Sequence, residues 1–119
     1  KNCKIFVMNF KKICSNFLNS INGIKEALNE HSFFLELIGG LFLIPFLIFI
    51  DTNFLIKILI IVIYFLLLAF ELINTSIEKL SDKIKKDFDS DIKIIKDISS
   101  AAVFVVLVIL IFLIIFSIF

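Results

Sequence analysis

Along the stretch Glu71-Leu72-Ile73-Asn74-Thr75-Ser76-Ile77-Glu78-Lys79-Leu80-Ser81-Asp82, four polar residues fall at i, i+3, i+7 and i+11. At about 3.6 residues per turn, Glu71, Asn74, Glu78 and Asp82 share one stripe of a helix, so three acids and an amide face one way. The apolar run from Phe54 to Phe70 precedes them, which leaves Glu71 and Asn74 at membrane depth. An acid there costs roughly 2.5 to 3.5 kcal/mol on insertion scales and is a functional candidate unless a partner explains it. The pattern brings Glu30, Glu36 and Asp97 to the same level, with Lys96 the nearest cation. Hard oxygen ligands of this kind suit Mg²⁺, which one or two carboxylates hold together with substrate phosphates. A deep carboxylate such as Glu71 could take a proton from a hydroxyl that a lipid delivers sideways. A lysine at the rim could meet phosphate oxygens as a point charge. Together these residue types describe phosphotransfer at a membrane interface by positioning and charge neutralisation. The alternative is a non-enzymatic channel or assembly subunit whose acids line a pore or pair between protomers.

Composition supports the membrane setting. The chain has 119 residues, 61% of them apolar, and a mean hydropathy of +1.11, far outside the range of soluble domains. A net charge of +1 gives no electrostatic case for a nucleic-acid partner. Gly23, Gly39 and Gly40 are the only glycines, and neither a GxxxxGK[ST] loop nor a kinase glycine loop is present. Lys1, Lys4, Lys11, Lys12 and Lys25 precede the first long apolar run, Lys57 alone follows it, and the other six lie between the second and third runs. The positive-inside rule then puts the N-terminus and the second connection in the cytoplasm. Cys3 and Cys14 would be about 16 Å apart along a helix, too far for an intrachain disulfide, and both read as free thiols. The N-terminal segment lacks the compact apolar core of a cleavable signal peptide.

The elements that must carry these residues follow from hydrophobic period and punctuation. The spacing of Phe6, Phe10, Ile13, Phe17, Ile21, Ile24 and Leu28, with Lys4, Lys11, Ser15, Asn22, Lys25 and Asn29 opposite, predicts an amphipathic surface helix over residues 4–29. Residues 32–50 are long enough to cross a hydrocarbon core of roughly 30 Å, with Gly39-Gly40 permitting close packing and Pro45 a kink. Asp51-Thr52-Asn53 links them tightly to a second helix, 54–86, which runs on past the bilayer. The break falls at Asp87-Phe88-Asp89-Ser90-Asp91, with Ser90 or Asp91 as the cap of a third spanning helix, 91–119. The whole, 1–119, reads as one all-α membrane domain: a surface helix and three spans. Its ionisable groups gather in one layer.

Glu71-Leu72-Ile73-Asn74-Thr75-Ser76-Ile77-Glu78 through Asp82, then Lys96-Asp97 and Ser99-Ser100-Ala101-Ala102-Val103, and upstream Asn29-Glu30-His31-Ser32-Phe33-Phe34-Leu35-Glu36, carry a resemblance. In these motifs the chain resembles the small integral-membrane lipid kinases of bacteria, the diacylglycerol kinase and undecaprenol kinase family. The likeness covers nearly the whole chain. It implies transfer of the γ-phosphate of ATP, with Mg²⁺, to a lipid hydroxyl in the bacterial cytoplasmic membrane, by a homotrimer whose active sites are shared between subunits. By position, the resemblance makes Glu71 the general base and Asn74 its neighbour in the site. Glu30 and Glu78 would hold the metal, Lys96 would contact the transferring phosphate, and Asp82 and Asp97 would support the nucleotide end. Glu36 would lie near the lipid substrate, and Lys11 is the one nucleotide contact carried over from the surface helix. Glu36 favours diacylglycerol as acceptor, giving phosphatidic acid; the alternative within the family is undecaprenol. The chain departs from the family pattern at Ser81 and at Phe34-Leu35.

Overall fold

The structure, a computed structural model, describes residues 2–84 and 87–119, with side chains described from Asn9 onward. It consists of four helices: α1 (Asn2–Ala27), α2 (His31–Phe49), α3 (Phe54–Ile84) and α4 (Ser90–Ile118). No strand occurs among the described residues. The last three helices are long and apolar enough to cross a membrane. The expected end of the second span, at residues 85 and 86, lies outside the described residues, as does the side chain of Cys3. Cys14 is a free, exposed thiol.

The helix ends have local causes. α1 stops at Ala27, two residues before the expected limit, because the ladder tightens there: Asn29 N donates to Glu26 O (3.2 Å) and Glu30 N to Ala27 O (2.9 Å), both three residues back. Glu30 then holds the N-cap position of α2, its carbonyl accepting from Phe34 N, but its side chain makes no capping bond. That carboxylate reaches Lys79 on α3 instead. Asn53 starts α3 by accepting from Leu55 N through Oδ1 at 2.9 Å. The cap of α4 corrects the expectation of Ser90 or Asp91. Asp89 takes that place, its side chain accepting from Asp91 N and Ile92 N. An acid one residue earlier serves two orphan amides and leaves Asp91 in the first turn, where the helix dipole favours negative charge.

α3 is the central element and touches all three others. Against α4 it buries Ile60 and Leu67 on Val106 and Leu110, flanked by Val103 and Leu113. On α4 the seam residues Ser99, Val103, Val106, Leu110, Leu113 and Ser117 advance by alternating fours and threes, the pattern of helices packed lengthwise. Against α2 and the end of α1 it forms a second cluster of Ala27, Phe33 and Leu68. Gly40 sets the approach of α2. A Cβ on Gly40 would lean toward the preceding turn and overlap the Tyr64 hydroxyl, which donates to the carbonyl of Glu36 at 3.1 Å. Gly39, by contrast, faces open space. α2 continues unbroken through Pro45.

Much of the apolar surface is uncovered within one protomer. Phe42, Phe49, Phe104 and Phe112 point outward from the spans. On α1, Phe10, Ile13, Phe17 and Ile24 are exposed along with Lys11 and Lys25, so the protomer itself covers neither side of that helix.

Candidate active site

The polar stripe of α3 crosses from a buried to an exposed setting. Glu71 is 3% exposed and Asn74 6%, Glu78 is half-buried, and Asp82 is exposed. A carboxylate as enclosed as Glu71 needs a donor, because an unmet buried charge is costly. Ser32, in the first turn of α2, provides it: its hydroxyl donates to Glu71 Oε1. One turn further along α2 stands Glu36, which feels the charge of Glu71 and whose Oε2 is buried without a hydrogen-bond partner among the described residues. Two carboxylates and a serine hydroxyl therefore meet between α2 and α3.

The next turns of α3 carry the rest. Asn74 Nδ2 donates to Glu78 Oε1 at 3.2 Å, while Asn74 Oδ1 is buried and unpartnered among the described residues. Asp82 reaches across the α3–α4 hairpin to Lys96, Oδ1 to Nζ at 2.6 Å, and Glu78 also acts on that ammonium. Glu30 pairs with Lys79, the residue after Glu78, at 3.0 Å. The structure thus gathers Glu71 with Glu36, and Glu78 with Asn74, Asp82 and Lys96, with Glu30 held at the same turn. It does not gather Asp97, whose carboxylate pairs with Lys93 along α4 at 2.5 Å. Nor does it gather Lys11, which lies about 13 Å along α1 from Ser20, the earliest α1 residue lining the groove against α3.

Ser32, Tyr64 and Lys79 are the residues that reading the sequence did not single out. For Ser32 a signal existed: Ser32, Glu36 and Gly40 stand at i, i+4 and i+8, one stripe of α2 facing α3.

The described residues contain no cluster of three or more His, Cys, Asp or Glu side chains. The carboxylates of Glu30 and Glu78 are hard oxygen donors of the kind that Mg²⁺ takes one or two of, completing its shell with phosphates and water, though in this protomer the Glu30 carboxylate is held by Lys79. A groove of about 450 Å³, mostly apolar in its lining, runs between α1 and α3 and is bordered by Ile24, Ala27, Leu72, Thr75, Ser76 and Lys79 among others. Further along the same face of α3, α2 and α3 enclose an apolar groove of about 650 Å³ that extends from Leu37 and Leu68 past Gly40 to Phe54 and Lys57.

Three membrane-length helices carrying acids at one level define a small integral-membrane protein with a carboxylate-lined site at the edge of its apolar zone. The family profile described as prokaryotic diacylglycerol kinase matches residues 18–119. The chain belongs to that family of lipid kinases, which includes undecaprenol kinase. No curated protein sequence gives a significant match. The matched segment contains every residue of the row from Glu30 to Asp97 and excludes Lys11.

Proposed function

We propose that the chain transfers the γ-phosphoryl group of ATP to the free hydroxyl of diacylglycerol, giving phosphatidic acid and ADP. The observation that carries this reading is the Glu71 carboxylate, 3% exposed at the end of a span-length apolar run, where an ionisable group is costly unless it serves a function. In the proposed step, a Glu71 oxygen takes the hydroxyl proton as the lipid oxygen bonds to the γ-phosphorus. The bond from that phosphorus to its bridging oxygen breaks, and ADP leaves with the electron pair. Lys96 places its ammonium on the γ-phosphoryl oxygens, Asn74 holds polar substrate atoms through Oδ1, and Asp82 supports the nucleotide end, the role also proposed for Asp97 and Lys11 although a single protomer does not bring those two to the row. Mg²⁺, on Glu30 and Glu78, would neutralise phosphate charge when bound.

Glu36, close to Glu71 on the α2 side, is the residue we assign to the lipid. The adjoining apolar groove would suit an acyl chain whose hydroxyl is presented to Glu71. We also propose a homotrimer with sites shared between protomers, α1 lying along the cytoplasmic interface and the N-terminus inside. The acceptors Glu36 Oε2 and Asn74 Oδ1, unpartnered among the described residues, and the broad exposed apolar faces support assembly.

The test is Glu71→Gln, folded and reconstituted in mixed micelles. Loss of at least about a hundredfold in transfer from MgATP is expected on removing a general base. Unchanged turnover would return the protein to a non-enzymatic role for its acids. The same assay run with diacylglycerol and undecaprenol side by side decides the acceptor, and an active monomer in detergent would reject the shared site.

A further inference from the structure

Ser32 stands outside the acidic row, yet its hydroxyl is the one donor that the described residues offer to the Glu71 carboxylate. Its place is fixed from both sides. Two residues before it, Glu30 is tied to α3 by Lys79; immediately after it, Phe33 is buried in the cluster with Ala27 and Leu68. The start of α2 is therefore anchored, and the Ser32 hydroxyl comes to Glu71 on a rigid support. A glutamate side chain has three rotatable bonds and an almost freely turning carboxylate, so without an anchor its two oxygens would sample many directions. A donor on Oε1 removes that freedom and leaves Oε2 as the oxygen open to a proton.

We propose that Ser32 is a positioning residue for phosphoryl transfer: by donating to Oε1 it orients the Glu71 carboxylate so that Oε2 receives the proton of the lipid hydroxyl. The inference rests on Glu71 as the base. Ser32 itself gains and loses no proton; the hydroxyl proton ends on Oε2 as the oxygen–phosphorus bond forms and ADP departs. The arrangement needs a short hydroxyl side chain at this turn, because the hydroxyl acts on Glu71 directly.

The experiment uses the full chain in mixed micelles with diacylglycerol and MgATP. Ser32→Ala is expected to lower kcat about tenfold, the scale of a lost hydrogen bond to a charged group, with both KM values within error and a lower unfolding temperature in detergent, because the buried Glu71 carboxylate loses its donor. Ser32→Thr keeps the hydroxyl and should recover most of the rate. Ser32→Val, nearly the shape of threonine without the hydroxyl, should not, and this matched pair decides the matter even if the alanine variant folds poorly. Shortening the base by Glu71→Asp withdraws the carboxylate by about 1.5 Å. In that background Ser32→Ala should cost less than twofold more, since the contact is already gone. Equal rates for the threonine and valine variants, or a full tenfold loss on top of Glu71→Asp, would overturn the role of Ser32. Full turnover of Glu71→Gln would instead remove the base, a separate failure with its own readout.

Discussion

The seam between α3 and α4 and the polar row on the same face of α3 obey different rules. In the seam, Ile60, Leu67, Val106 and Leu110 bury one another within a single protomer, and nothing polar is left open among them. A few turns toward the α3–α4 connection, the stripe that carried Ile60 and Leu67 carries Glu71, Asn74, Glu78 and Ser81 instead, and two buried acceptors in that neighbourhood have no hydrogen-bond partner among the described residues. Dispersion packing closes on itself wherever shapes match, even in lipid, where no hydrophobic force drives helices together. Hydrogen-bonding groups at membrane depth are different, because each unmet acceptor costs several kcal/mol without water to serve it. Such groups persist where a substrate, an ion or a neighbouring protomer meets them. One region holds the hairpin together; the other is built for what arrives.

That contrast can be broken by substitutions whose effects should separate. In the polar row, Lys96→Met is expected to reduce transfer about a hundredfold if its ammonium meets the reacting phosphate. Its pair with the exposed Asp82 is screened by water, so unfolding in detergent should barely move. A variant that loses stability in proportion to activity would make Lys96 a structural strut. In the seam, Leu67→Ala should do the reverse. Loss of about 2 kcal/mol of stability, the lower end for large-to-small changes at buried sites, should leave kcat per folded molecule unaltered. If kcat fell with the fold intact, the two regions would be coupled.

The seam and the row were not equally legible in the sequence. The three spans follow from long apolar runs, which have few other ways to exist, and the acidic stripe follows from helical period alone. Both needed only local information. The pairing of Asp82 with Lys96 depends on where the hairpin turns, and that depends on Asp89 rather than Ser90 or Asp91 serving as the cap. Three competent capping residues in a row leave the register undecided until packing chooses. Asp97 shows the same limit: its expected place beside Lys96 in sequence gave no hint that Lys93, one turn back, would engage it first. Ser32 was hidden for a different reason, since a serine near the start of an apolar helix usually reads as a helix boundary. Gly39-Gly40 suggested a neighbouring helix backbone, whereas Gly40 makes room for one tyrosine ring and hydroxyl.

The smallest expected effect lies where the row meets water. Lys79 and Glu30 pair at 3.0 Å with 47% and 39% of their side chains exposed, so the contact is screened and worth about 0.5 kcal/mol. If Glu30 holds the metal, the Lys79 ammonium competes with Mg²⁺ for the same carboxylate. Lys79→Gln should then lower the Mg²⁺ concentration for half-maximal transfer about twofold, the ratio that 0.5 kcal/mol corresponds to, with no change in unfolding temperature. A half-saturation that stays put while Glu30→Gln raises it would mean that the lysine releases its partner without cost. A half-saturation indifferent to both substitutions would take Glu30 out of the metal site and leave Glu78 as the carboxylate on which the metal depends.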